Sequence, residues 1–181
     1  MEVIMKKLSV KSIPPEITPE EMLLLMKGCI EVTEKLRELD VKMSFGIVNN
    51  QIINNFRMHE AIESTRIEGT QTTMQEIFEA KIDKKDNQDI REVLNYLEAL
   101  REGNESVMKD GFIASRTLKM LHKALLKGDV RGSSCDPGEF RKIDNWIGPV
   151  GSSKENACYI PPSNIYILDY MKNLEDFINN N

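Results

Sequence analysis

Signals that start and stop helices recur along this chain, and they leave little room for a fold that is not helical. Thr18-Pro19-Glu20-Glu21 combines a capping box with a proline at the first helical position. Glycines follow the apolar periodic segments at Gly69, Gly103 and Gly128, where a glycine allows a helix to stop. The sequence therefore predicts a mainly α protein, a helical bundle.

Apolar residues at helical spacing fill the segments between these signals. The first helix is predicted to run to about Asp40, and the asparagine-rich stretch from Asn49 to Asn55 is predicted to be irregular. The most polar stretch, Lys81 to Gln88, is the best candidate for a domain boundary, dividing the chain into residues 1–88 and 89–181. Further helices are predicted from residue 56 to Gly69, after Thr72 and Thr73, from Asp89 to Gly103, from Ser115 to Gly128, and after Asn164.

One region breaks the helical pattern. A run of turn-forming residues precedes two short strand-like segments, Phe140 to Ile147 and Cys158 to Ile160, which flank a loop. We therefore predict a β-hairpin within residues 138–161, carrying the only tryptophan, Trp146. An exposed strand edge there could pair with an extended peptide through backbone hydrogen bonds. A plain hairpin whose Trp146 packs on the helices is equally consistent with the local pattern.

Composition limits the range of functions. The net charge of −5 argues against a general nucleic-acid surface, because phosphate binding requires a basic patch. No apolar run reaches the roughly 18 residues needed to cross a bilayer, and the first residues lack the apolar core of a signal peptide. Cys29, Cys135 and Cys158 are odd in number and lack CxxC spacing, so neither a disulfide framework nor a metal centre is indicated. We expect a cytoplasmic protein without nucleic-acid or membrane partners.

The segment from Glu63 to Thr70 is the most unusual part of the sequence. Ser64 and Glu68 lie four residues apart and would share a helix face, while Gly69 fits the left-handed position that ends a helix. A carboxylate at this end meets the negative pole of the helix dipole, so its charge requires a cationic partner. The simpler interpretation is a solvated helix face with an ordinary C-terminal cap.

No catalytic arrangement is evident from the residues alone. The only histidines, His59 and His122, each lie on a predicted helix, and neither has a Glu or His at metal-ligand spacing. The GxSxG, GxGxxG and Walker A patterns are absent. Both histidines are therefore interpreted first as packing or surface residues.

Together, these segments resemble proteins of the Fic family. Residues 60–70 are similar to the family's inhibitory-helix motif, [S/T]xxxE[G/N], on a helix spanning about residues 56–69. The resemblance covers roughly residues 13–181 and implies that residues 1–88 are a Fic N-terminal domain and residues 89–181 the first part of a Fic core, including its hairpin, the flap. The downstream segments that carry it are Leu121-His122 to Leu126-Lys127-Gly128, Pro137 to Arg141, Asn145 to Gly148, and Ala157 to Pro162.

The resemblance implies a function in protein AMP transfer. Fic proteins move AMP from ATP, with Mg²⁺ on the phosphates, to a hydroxyl of a target protein, which would here be a serine, threonine or tyrosine. Their catalytic motif, HxFx(D/E)GN(G/K)RxxR, is absent from this sequence. The resemblance therefore implies a fragment or truncated product with no catalytic residue, no turnover alone and no tight site for ATP or Mg²⁺. The missing C-terminal catalytic segment, or another Fic chain, would be a partner.

Roles for individual residues also follow from the resemblance. Glu68 would pair with the last arginine of the catalytic motif and keep it from the ATP γ-phosphate. Ser64 and Gly69 would complete this regulatory site. The flap residues that would dock the target segment as an added strand are Asn145, Trp146, Ile147, Gly148, Tyr159 and Ile160.

Two alternatives remain open. The chain could itself be the functional product, an inhibitory or docking module that acts on a separate Fic catalytic chain. It could also be a non-catalytic helical interaction protein with no link to nucleotides. A homo-oligomer is compatible with each, since exposed apolar positions near the N-terminal helix could form a dimer contact.

Overall fold

The computed structural model describes residues 13–46, 50–83, 87–151 and 153–180. Within these residues the fold consists of α-helices joined by turns and loops, which confirms the prediction of a mainly α protein. The helices are α1 (Pro19–Ser44), α2 (Asn50–Ile67), α3 (Met74–Asp83), α4 (Gln88–Asp110), α5 (Ser115–Leu125) and α6 (Ile167–Asn179). Two single-turn 3₁₀ helices, Lys154–Asn156 and Asn164–Tyr166, lie between α5 and α6.

Helix α1 begins at the predicted capping box. The Thr18 hydroxyl accepts the N–H of Glu21 at 3.2 Å, and the Glu21 carboxylate accepts the N–H of Thr18 at 2.7 Å. This pair satisfies two backbone donors that the helix itself leaves without partners. The helix continues past the predicted end near Asp40 to Ser44, and none of its residues is buried.

Helix α2 corrects one prediction. The asparagine-rich stretch was expected to be irregular, but the helix begins at Asn50 and includes Asn54 and Asn55. The low helix propensity of asparagine amounts to a fraction of a kcal/mol per residue, and tertiary packing readily overrides it. The buried side chains of Met58, Ala61 and Ile62 anchor this helix further along, and the asparagines extend it.

The chain packs as two compact units, and the first is Pro15–Val93. Its core combines α2, α3 and the first turns of α4. The side chain of Ile77 is fully buried, so truncating it to alanine should cost about 2–5 kcal/mol. The buried apolar residues are Met58, Ala61, Ile62, Ile77, Ala80, Ile90 and Val93.

Helix α4 was predicted to end at Gly103, and this prediction is wrong. The helix continues to Asp110 and ends at Gly111, which has a positive φ of 72°. Gly103 lies inside the helix, at a position where α5 comes close. A Cβ atom there would be 3.0 Å from Leu121 Cδ2 on α5. This glycine therefore serves close helix packing and does not act as a helix stop.

The second unit contains the residues from Leu94 onwards, with Ile13 and Pro14. Its helices are joined partly by side chains that satisfy helix ends. The Asn95 amide on α4 donates to the carbonyl of Leu125 at 2.9 Å and to that of Lys127 at 2.8 Å, at the C-terminal end of α5. Buried Ala99, Val130 and Ala157 contribute its core. The domain division proposed at Gln88 stays a prediction.

The predicted β-hairpin is also wrong as a pair of strands. Among the described residues of 138–161 the structure contains no β-strand, only a single antiparallel bridge between Ile147 and Tyr159. A lone two-stranded ribbon is marginally stable in water, so other contacts decide the conformation. Here side-chain to backbone hydrogen bonds fix the arms, and a turn at residues 149–151 and the 3₁₀ helix Lys154–Asn156 occupy the connection.

Candidate functional site

The predicted regulatory motif lies at the C-terminal end of α2, which closes in a Schellman motif. Gly69 has a φ of 94°, which confirms its predicted left-handed conformation. Its N–H donates to the carbonyl of Arg66 at 3.0 Å, and the N–H of Thr70 donates to that of Thr65 at 3.2 Å. These two bonds are the pair that defines the motif, and they satisfy carbonyls that the helix leaves without donors.

Glu68 is the first residue after the helix and is exposed, together with Ile67, whose side chain is 87% exposed. The nearest basic side chain in sequence, Arg66, is engaged elsewhere, with its Nη1 atom 2.7 Å from Glu63 Oε1. Among the described residues the Glu68 carboxylate forms no salt bridge. A carboxylate at this end of a helix is disfavoured by the helix dipole, so a cation brought next to it would be attracted.

Ser64 lies one turn before Glu68 and is half-buried, whereas Glu68 faces solvent. The neighbouring Thr65 hydroxyl donates to the carbonyl of Ala61 at 2.8 Å and so remains within its own helix. The predicted regulatory motif thus combines a half-buried serine with an exposed glutamate.

Two carboxylates on α4 hold the segment that follows the motif. The Thr70 side chain is only 2% exposed, and its hydroxyl donates to Glu92 Oε2 at 2.6 Å. The N–H of Gln71 donates to Asp89 Oδ2 at 2.8 Å. The sequence analysis named Asp89 only as a helix start and did not name Glu92, since acidic residues in the first turns of a helix ordinarily need no partner beyond its dipole. They tie the position of Glu68 to a second helix.

Residues 138–161 are called the flap loop below, and their base is fixed to α5. The N–H of Gly138 donates to Nδ1 of His122 at 2.9 Å, and Gly138 has a φ of 86°. The Lys119 ammonium lies 3.0 Å from Glu139 and 5.1 Å from the centre of the Phe140 ring. His122 therefore has a structural task here, in keeping with its interpretation as a packing or surface residue.

Further hydrogen bonds tie the flap loop to the chain that precedes α6. The Asp144 carboxylate accepts the N–H of Asn164 at 2.9 Å, and the Asn164 side-chain amide donates to the carbonyl of Lys142 at 2.6 Å. The backbone N–H of Asn164 and the hydroxyl of Ser163 hold the pKa of Asp144 below its ordinary value, because both stabilise the carboxylate. The Arg141 guanidinium donates to the carbonyl of Pro162.

The predicted docking residues surround the Ile147–Tyr159 bridge. These two residues exchange both backbone hydrogen bonds, Ile147 N–H to Tyr159 O at 2.9 Å and Tyr159 N–H to Ile147 O at 3.1 Å. Their neighbours Asn145, Trp146 and Gly148 are exposed and form no backbone hydrogen bond with another described residue. Trp146 is 42% exposed and Ile147 65%, so the tryptophan does not pack fully on the helices. Ile160 is half-buried.

No metal-binding cluster of three or more His, Cys, Asp or Glu side chains occurs in the described part of the chain. The three cysteines are free and exposed. None of the described helices has the length and apolar character needed to cross a bilayer.

The structure thus places the chain in a structural class: helical domains whose second helix is followed directly by an acidic residue, here Glu68. Residues 26–105 match the family described as Fic/DOC family N-terminal, and this match supports a Fic-family N-terminal region in that part of the chain. The matched range includes Ser64, Glu68 and Gly69 and ends before the flap loop. No curated protein matches the chain.

Proposed function

We propose that this chain is the regulatory and target-docking part of a self-inhibited protein adenylyltransferase. The observation that carries the proposal is the end of α2, where a Fic N-terminal region presents Glu68 on a backbone fixed by the Schellman motif. In the intact protein, an arginine of the catalytic motif pairs with Glu68 and is thereby kept from the ATP γ-phosphate.

The position of Glu68 supports this role on electrostatic grounds. A carboxylate at the C-terminal end of a helix gains little from its own helix and gains most from an external cation. Its backbone is held in place by the bonds of Gly69 and Thr70, so little backbone conformational entropy is lost on pairing. Ser64, one turn earlier, contributes a hydroxyl to the same contact, and Gly69 sets the direction of the chain.

The flap loop supports a role in docking the target protein. Successive residues of an extended segment direct their backbone N–H and C=O groups to opposite sides. The backbone N–H and C=O of Ile147 are hydrogen-bonded to Tyr159. The backbone groups of Trp146 and Gly148 are therefore available to a strand added on the other side. The exposed side chains of Trp146 and Ile147 flank this edge and provide apolar contact.

ATP and Mg²⁺ belong, in this proposal, to the catalytic motif and not to the residues of this chain. The motif HxFx(D/E)GN(G/K)RxxR, which would hold the phosphates and Mg²⁺, is absent from the sequence. The chain alone is accordingly proposed to be inactive. Its partners are a target protein with a hydroxyl side chain and the segment or chain that carries the motif.

The test is the substitution Glu68→Ala in the gene product that contains the catalytic motif, incubated with ATP and Mg²⁺. Auto-modification measured by intact mass should accelerate about 5- to 150-fold, the range typical of coupling between two sites. Glu31→Ala is the matched control, since Glu31 is an exposed glutamate on another helix, α1. If Glu68→Ala modifies itself no faster than the wild type, Glu68 is not the inhibitory residue.

A second candidate function rests on the absence of the catalytic motif from the sequence. The chain would then be an inhibitory module that lends α2 to a separate Fic catalytic chain. Intact mass of the protein expressed from its own gene discriminates between the two. A mass near 20.7 kDa favours the module, and a clearly larger mass favours the single-chain enzyme.

A further inference from the structure

Helix α1 has an apolar face that repeats with heptad spacing. Its members alternate three and four residues apart along the helix, which is the pattern of a coiled-coil interface. Six of them are between 37% and 58% exposed, and the seventh, Cys29, is also exposed. This heptad face consists of Met22, Leu25, Cys29, Val32, Leu36, Leu39 and Met43.

The exposure of this face requires an explanation. A 26-residue helix is about 39 Å long, and an isolated helix in water draws most of its stability from packing of its apolar face. Yet no residue of α1 is buried. A heptad repeat of this kind favours a second helix as the partner over a strand or a small ligand.

We propose that α1 forms an antiparallel two-helix interface with α1 of a second copy of this chain. The heptad face is complementary to itself in this orientation. Leu25 of one copy meets Leu36 of the other, and Cys29 meets Val32. By the twofold symmetry each of these layers occurs twice. This interface does not depend on the adenylyltransferase assignment.

The charges along α1 favour the antiparallel orientation. The first turn is acidic and the last turn is basic, with Glu20 and Glu21 at one end and Lys42 at the other. Antiparallel pairing places Glu21 of each copy beside Lys42 of the other. It also places the two helix dipoles side by side in opposite directions, which is the favourable arrangement. A parallel pair would offer contacts between Lys35 and Asp40 but would place like ends of the two helices together.

Sedimentation equilibrium of the full 181-residue chain tests the interface. The wild type should move from 20.7 kDa towards twice that mass as its concentration rises. Leu25→Glu should raise the dimer dissociation constant about 100-fold, because the lost burial counts once in each copy. Leu24→Glu is the matched control: Leu24 is 72% exposed, against 54% for Leu25, and lies off the heptad face. A wild type that stays monomeric, or equal effects of both substitutions, would overturn the proposal.

Disulfide formation tests the orientation. Cys135→Ser and Cys158→Ser first remove the other exposed thiols. With Val32→Cys added, the antiparallel pair should form a cross-link between position 32 of one copy and Cys29 of the other on mild oxidation. A parallel pair would instead join Cys29 to Cys29 with Val32 unchanged. Recovery of that second cross-link alone would refute the antiparallel arrangement.

Discussion

The carboxylate of Glu175 on α6 caps the N-terminus of α5 by accepting both the backbone N–H and the hydroxyl of Ser115. The N–H to Oε1 distance is 2.7 Å. The residue at the N-cap position, Ala114, has no side chain that could do this, so a residue sixty positions after Ser115 supplies the cap. A single oxygen atom, Oε1 of Glu175 on α6, is thereby hydrogen-bonded to the N-terminal end of α5.

Replacement of this cap, Glu175→Gln, should lower the melting temperature at neutral pH. The Ser115 hydroxyl and N–H hold the pKa of Glu175 below its ordinary value, so the carboxylate form is the one that stabilises the fold. Its contribution is present above the unfolded-state pKa, about 4.3, and is lost as the pH falls through the lower folded-state pKa. Thermal melts of both proteins across this range should therefore converge in acid. A difference that persists at the lowest pH would mean that charge is not involved.

The left-handed conformation of Gly69 predicts a graded response to substitution. Gly69→Ala should destabilise the fold by about 1–2 kcal/mol, because a Cβ atom is disfavoured at a φ of 94°. Gly69→Asn is the matched comparison, since asparagine tolerates the left-handed region better, and it should lose clearly less. Urea denaturation measures both. Equal losses would show that the Schellman conformation is not what selects glycine here.

The starts of α1 and α3 could be predicted from the sequence because the chemistry of capping is local. Thr18 with Glu21, and Thr73 with Glu76, form the expected reciprocal bonds within four residues. The left-handed glycine at position 69 follows from the same local reasoning. The cap that Glu175 provides to α5 could not be predicted, because its partner lies far away in sequence.

The predictions about Gly103 and the hairpin failed for the same reason: the contact that decides the structure lies far away in sequence. Glycine is the residue type that commonly ends helices, yet the role of Gly103 depends on how closely Leu121 approaches from another helix. The strand-like segments around Trp146 have the right residues for a hairpin, but tethers from Asp144 and Asn164 determine their path. In each case a contact distant in sequence outweighs a local conformational preference of about 1 kcal/mol or less.

Asp144 should control the conformation of the flap loop in a pH-dependent way. Its depressed pKa means that the bond to the Asn164 N–H is stable at neutral pH and weakens as the pH falls through that lowered pKa. Trp146 is the only tryptophan, so its fluorescence reports this loop. At neutral pH, Asp144→Asn should shift the emission towards that of the acidified wild type. Asp169→Asn, an exposed aspartate on α6, is the control and should leave the emission unchanged.

The exposed edge beside the Ile147–Tyr159 bridge leads to the last prediction, which concerns target docking. Trp146 is partly exposed next to unpaired backbone groups, and a large aromatic side chain at such an edge contributes strongly to peptide binding. In the intact protein, Trp146→Ala should reduce target modification by about tenfold or more, an effect of roughly 1.4 kcal/mol or greater. Ile143→Ala is the matched control, because Ile143 is exposed in the same loop but precedes the bridge residue Ile147 by four positions. Auto-modification in the Glu68→Ala background should change less than target modification, since it does not require a separate protein to bind the edge. If Trp146→Ala and Ile143→Ala modify the target equally well, the docking surface lies elsewhere.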